Sequence, residues 1–266
     1  MAAIGYVASL FIGISLGLIG GGGSILTVPV LVYLFAISPV LATSYSLFIV
    51  GATCLVGAFN NYRKGLVQIK TALLFGISSI TTVFLTRKFL IPLIPKTFGS
   101  IGDFQIAEAI VTMVLFALLM ITAAVAMINS REIITVDKKS VDDKKIIFSK
   151  LLLYGITIGF ITGLLGAGGG FLLIPTLVLL LKLPMKEAVG TSLFIIALNS
   201  LIGFTGDLGH FSMDWFFLLK ITAIAVAGIF IGGFLNKKIS GPRLKRGFGW
   251  FVLLMGIYII VKEIFL

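Results

Sequence analysis

Charge is scarce in this chain. Lys, Arg, Asp and Glu make up 12% of its 266 residues, and only 10 residues are acidic. There is one cysteine, Cys54, and one histidine, His210. That arithmetic excludes a disulfide framework, a structural zinc site and an iron–sulfur cluster. His210 reads as a loop residue and Cys54 as a small core residue, so no thiol, metal or Ser/His/Asp set points to catalysis. The sequence predicts a protein that is not an enzyme and carries no cofactor. Between Met1 and Ala36 there is no charged side chain at all. No basic segment precedes that apolar run and no small-residue cleavage site follows it, so it reads as a span and not as a cleaved leader.

What the chain has instead is apolar surface. Hydrophobic residues reach 59%, and mean hydropathy is +1.18. A soluble fold of this length cannot hide so much, so the composition predicts an all-α polytopic membrane protein. Apolar segments run at 4–19, 24–36, 40–60, 67–90, 106–129, 149–165, 170–182, 186–206, 214–236 and 247–264. The formal net charge of +11 does not indicate nucleic acid, because the basic residues fall in short loops between apolar segments. One charged linker, "SREIITVDKKSVDDKKIIFSK" at 130–150, interrupts the pattern. It divides the chain into a first transmembrane repeat (1–129), a linker (130–148) and a second repeat (149–266).

The two halves are copies. An offset of 146 residues aligns "GLIGGGGSILTVP" (17–29) with "GLLGAGGGFLLIP" (163–175), and "SLFI" (46–49) with "SLFI" (192–195). Over 17–49 against 163–195, 15 of 33 positions are identical without a gap. With the linker cytoplasmic, 16 Lys and Arg lie inside. Four lie outside (Arg87, Lys88, Lys96 and Lys262), and Lys220 falls within a segment. That bias fits the positive-inside rule and places the N-terminus outside. Each half holds about five elements, an odd number, so the copies are expected to be inverted about an axis in the membrane plane. Repeats of this kind are the mark of secondary transporters.

The glycine runs carry the chemistry. Segments 24–36 and 170–182 are about 13 residues long, and at ~1.5 Å per residue they fall short of the hydrocarbon core. Gly20, Gly21, Gly22, Gly23 and Ser24, with Gly166, Gly168, Gly169 and Gly170, read as breaks in short or re-entrant helices. Irregular backbone at membrane depth survives only buried in protein or lining a cavity. Helix starts there aim unpaired N–H groups and a positive dipole end at an anion without a buried lysine. No Lys-Ser/Thr follows the run, so it is no P-loop, and no strand–helix–strand unit makes it a dinucleotide site. The regularly spaced Ser9/Gly13/Gly17, Gly155/Gly159/Gly163 and Gly228/Gly232 read as packing faces instead.

A second polar cluster lies early in two long segments: Thr43, Ser44, Tyr45 and Ser46, and in the copy Thr191 and Ser192. The pair Ser46 and Ser192 is the best candidate for donating hydroxyls to an anion; bonds back to their own helices are the competing role. Asn60 and Asn199 are weaker candidates. Lys220 either snorkels to the surface or draws anions into an outer vestibule. Glu187 and Asp207 flank their segment, as solvated loop charges or as proton-coupling groups.

On these motifs the sequence resembles the TauE/SafE sulfite exporter family, the transmembrane sulfur-compound transporters, over nearly its whole length. The resemblance implies a multi-pass carrier in a prokaryotic inner membrane. Its substrate would be a small sulfur-containing anion such as sulfite, thiosulfate or a sulfonate like sulfoacetate. The expected partners are that anion, the lipid bilayer and a coupling proton or sodium ion. A passive anion channel is the alternative reading.

Overall fold

The computed structural model describes residues 2–93, 97–101, 104–129, 144–166, 168–181, 183–236 and 241–265. Most of the 130–148 linker lies outside the described residues, although the helix that follows it starts inside its expected bounds. Among the described residues, ten α-helices form the body. They are α1 (Ala2–Ile19), α2 (Thr27–Phe35), α3 (Pro39–Arg63), α4 (Ile69–Leu85), α5 (Glu108–Asn129), α6 (Lys144–Leu165), α7 (Gly170–Leu181), α8 (Met185–Asp207), α9 (Trp215–Leu235) and α10 (Gly241–Phe265). A 3₁₀ turn, Gly22–Leu26, leads into α2, and a π-turn, Thr86–Leu90, continues α4. Among the described residues there is one adjunct to this helical body: the antiparallel hairpin β1 (Thr97–Ile101) and β2 (Phe104–Ala107), between α4 and α5.

Among the described residues, five stretches are long and apolar enough to cross a membrane: Pro39–Arg63, Ile69–Leu93, Ala109–Ala126, Met185–Asp207 and Trp215–Leu235. Shorter apolar helices include Ala3–Ile19, Gly22–Phe35 and Leu151–Leu165. Large apolar side chains such as Phe11, Phe59, Ile77, Phe216 and Leu254 stand exposed on the outside. In water such a surface would aggregate; facing lipid tails it costs nothing. The chain is therefore a multi-pass membrane protein.

The 146-residue offset reappears as geometry. α3 and its copy α8 form the buried centre and run antiparallel: Gly51 packs on Leu201, Gly57 faces Leu193, and Gly190 meets Asn61 and Leu66. Around this centre the halves exchange helices. α1 lies parallel to α9, with Gly13 against Ala225 and Gly17 against Ile229 and Gly232. At the offset positions α6 lies on α4, with Gly159 against Ser79 and Gly163 against Thr86. These are the glycine faces expected from spacing; without a Cβ the backbones meet directly, which replaces a hydrophobic driving force in lipid. Helix ends repeat as well. The Ile37 N–H donates to Leu31 O at 3.2 Å and the Leu183 N–H to Leu177 O at 3.3 Å.

Candidate functional site

Each glycine run ends one helix and starts the next. At the end of α1 the Gly20 N–H donates to Leu16 O (2.8 Å); at the end of α6 the Gly166 N–H donates to Thr162 O (2.9 Å). Both glycines then turn through positive φ, 79° and 65°. A side chain there is strained, which is why the helices stop at these residues. Both breaks are buried.

The structure brings the two breaks together. Gly21 and Gly170 touch backbone to backbone: a Cβ on Gly21 would stand 2.7 Å from Gly170 Cα, and one on Gly170 would stand 2.5 Å from Gly21 Cα. Ser46 and Ser192 fasten the junction from opposite halves. Ser46 Oγ donates to Gly166 O at 2.8 Å, and Ser192 Oγ reaches Gly20 O at 3.3 Å while donating to Val189 O at 2.9 Å. Under the 146 offset these two cross-half bonds are equivalents. Ser24 Oγ donates to Gly21 O at 2.8 Å. In this arrangement all three hydroxyl protons lie on carbonyls.

Thr191 makes a third cross-half contact. Its Oγ1 accepts the Gln68 N–H at 3.0 Å, just ahead of α4. Its counterpart Tyr45 accepts the Asp214 N–H at 2.8 Å, just ahead of α9. Gly168 and Gly169, with φ of 66° and 67°, lie beside hydroxyls that the sequence reading did not select. Gly168 abuts Ser200 Oγ and Gly169 abuts Thr162 Oγ1. Among the described residues, both hydroxyls and Asn199 Nδ2 are buried without a hydrogen-bond partner, while Asn199 Oδ1 accepts from Ser79.

Three expected charged residues land differently. Lys220 is exposed, with Nζ 4.6 Å from the Tyr6 ring centroid. Glu187 accepts from Gln68 Nε2 at 2.8 Å near the surface. Asp207 is no solvated loop charge: it is wholly buried at the last turn of α8. Arg87, counted from sequence among the outer loop cations, is buried too, and its Nη1 lies 3.1 Å from Asp207 Oδ2. Nη1 also donates to Thr43 Oγ1 at 3.0 Å, and Ser44 Oγ donates to the same carboxylate oxygen of Asp207. Arg87 stands within the apolar run 67–90, and a cation inside such a run was the available signal. Its partner 120 residues away leaves no periodic trace. The pair touches the second break through Thr43, whose backbone packs on Gly166. His210 is exposed in the loop after α8, Asn60 is half-buried, and Cys54 is buried in α3.

Known proteins match the sequence over nearly its whole length. The model of the family described as sulfite exporter TauE/SafE matches residues 6–259. A probable membrane transporter protein of Xylella fastidiosa (strain 9a5c) is 28% identical over 255 residues, covering 95% of this chain and 92% of that protein. The probable membrane transporter protein YunE of Bacillus subtilis (strain 168) is 28% identical over 272 residues, with 97% of each chain covered. A probable membrane transporter protein of Methanocaldococcus jannaschii is 24% identical over 269 residues, covering 96% of this chain and 94% of that protein. No solved structure matches the chain. With both halves and both glycine breaks inside the matched region, the chain belongs to the TauE/SafE sulfite exporter family.

Proposed function

We propose that this protein is a secondary transporter of small sulfur-containing anions: sulfite, thiosulfate and sulfonates such as sulfoacetate. It works by alternating access in a prokaryotic inner membrane, with the N-terminus outside and the linker inside. Residues 1–129 and 149–266 act as two inverted repeats. The antiparallel packing of α3 on α8 supports the inversion, because an axis along the membrane normal would leave the two copies parallel.

The observation that carries the reading is the junction of the two breaks. Gly21 and Gly170 are in backbone contact, and an anion cannot lie between them until the halves part. Parting them withdraws the Ser46 and Ser192 hydroxyls from Gly166 O and Gly20 O, and frees them to donate to the substrate. Gly20, Gly21, Gly22, Gly23 and Ser24 then face Gly166, Gly168, Gly169 and Gly170 across the site, with Thr191 holding the start of α4. A transporter needs such an occluded midplane junction, closed when empty and opened from either side. Asp207 and Glu187 are the carboxylates available for coupling to a proton or a sodium ion, and Lys220 is the cation available to an outer vestibule.

Purified protein in proteoliposomes, offered sulfite, thiosulfate and sulfoacetate on either side, tests the reading. Saturable counterflow of at least one of them is expected. Ohmic currents of high unitary conductance in its place support a passive channel, and no movement of any anion sinks the sulfur-anion reading.

A further inference from the structure

A buried arginine ordinarily spends its donors. Its guanidinium carries five N–H groups in a planar fork, and each one buried without an acceptor forfeits the bond it had in water. Arg87 spends only one nitrogen. Nη1 serves both Thr43 Oγ1 and Asp207 Oδ2, while Nε and Nη2 are buried and have no partner among the described residues. The carboxylate matches it: Oδ2 takes Arg87 and Ser44, and Oδ1 is buried with no partner among the described residues. A pair present only to stabilise the fold would be expected to close bidentately, two N–H groups on two oxygens. This one meets at a single nitrogen and a single oxygen.

The repeat shows that the scaffold does not require the pair. Positions 87 and 207 correspond under the offset to Gly233 and Asn61, and Thr43 and Ser44 correspond to Val189 and Gly190. The same helices pack at that end with no ionisable side chain at any of the four positions. Arg87 also sits in the π-turn Thr86–Leu90. Such turns insert a residue into a helix and recur at functional sites.

We propose, building on the anion-transport reading, that Arg87 is the cationic anchor of the anion path and that Asp207 is its resting counter-ion, displaced by the arriving substrate. The free Nε and Nη2 edge is the fork that grips two oxygens carried by one central atom. Sulfite, thiosulfate and sulfonates all present that pattern. Thr43 joins the anchor to the second glycine break, so an oxyanion held there lies beside Gly166. The glycine backbones then complete a site whose charge comes from Arg87.

The test uses the full-length protein in detergent, titrated with sodium sulfite, sodium thiosulfate and sodium sulfoacetate. Sodium gluconate serves as the ionic-strength control, and binding is read by calorimetry and thermal shift. Arg87→Gln combined with Asp207→Asn removes both charges and leaves no unpaired ion, so the fold should survive. That double variant is expected to bind at least tenfold more weakly than the parent protein, and Asp207→Asn alone severalfold more tightly. Parent-like affinity of the folded double variant overturns the proposal while leaving the transporter reading intact. Should that variant fail to fold, Arg87→Lys decides: it keeps the charge but loses the fork, and an unchanged affinity overturns the proposal. No binding of any of the three anions by the parent protein overturns both readings together.

Discussion

The two ends of the central helix pair make an instructive contrast. At one end Thr43, Ser44, Arg87 and Asp207 form a buried charged knot, beside a cluster in which Phe48, Phe204 and Trp215 have ring centroids 5.1 to 5.9 Å apart. At the other end the corresponding positions hold Val189, Gly190, Gly233 and Asn61, with Ala58 and Ile69 in place of Phe204 and Trp215. The backbone contacts that build the two ends are nearly interchangeable. Tyr45 and Thr191 both receive the N–H that precedes a neighbouring helix, and Ser46 and Ser192 both reach the opposite glycine break. The scaffold contacts recur at both ends, whereas the buried ion pair and the Phe48–Phe204–Trp215 cluster stand at one end only. Even the breaks differ: Thr162 and Ser200 flank the second, where the first has Leu16 and Cys54.

The largest break in that comparison comes from Arg87→Ala set against Asn61→Ala. Removing Arg87 strands a buried carboxylate and should cost about 3 to 5 kcal/mol. Asn61 donates only to Gly57 O in its own helix, so its loss should cost about 1 kcal/mol or less. Thermal unfolding in one detergent measures both, and equal costs erase the asymmetry between the ends.

Neighbouring glycines on α9 sharpen the picture of the scaffold. A methyl on Gly232 collides with the Ile14 backbone and comes 3.0 Å from Gly17 Cα, whereas one on Gly233 meets nothing within 4 Å. Gly232→Ala should lower the melting temperature by several degrees. Gly233→Ala should be neutral, or stabilise by up to about 1 kcal/mol through helix propensity. Matching losses for the two would mean that α1 does not pack on α9 at these residues.

Smaller effects should follow Ser46→Ala and Ser192→Ala, each about 1 kcal/mol. Ser46 should cost more, because it puts its donor on Gly166 O at 2.8 Å, while Ser192 divides its donor between two carbonyls. Both should slow anion flux in proteoliposomes, as should Ser24→Ala; normal flux in all three would remove the hydroxyls from the site. The smallest change belongs to Lys220→Gln, which should alter initial flux by less than about twofold and only at low salt, where surface charge still steers.

Much of this organisation was legible in the letters. The constant 146 offset and the glycine and proline positions it aligned predicted paired helix breaks, and the four-residue glycine spacing predicted packing faces on α1, α6 and α9 without saying which helix each face would meet. Composition alone gave the membrane. Arg87 with Asp207 escaped because Arg87, although inside the apolar run 67–90, lies near its end beside Lys88, and Asp207 follows the run 186–206, so both look like loop residues. Nothing local records which residue Arg87 turns inward to meet. The roles of Ser46 and Ser192 escaped for a related reason: a hydroxyl at a helical position does not say whether it bonds to its own helix or across to a neighbour. The hairpin at 97–107 was missed because two strands of five and four residues carry too little pattern to stand out from a loop.

The exchange of helices between halves also sets a schedule for biosynthesis. The glycine face of α1 leaves the ribosome first, yet the surface it packs on, α9, begins at Trp215. At about 5 to 20 residues per second, that delay lasts roughly 10 to 40 s. Throughout it, the first half sits in the lipid with its closest-packing seam open. Neither half produced alone contains the helix that its own first element needs, so the parts of this protein are interdependent.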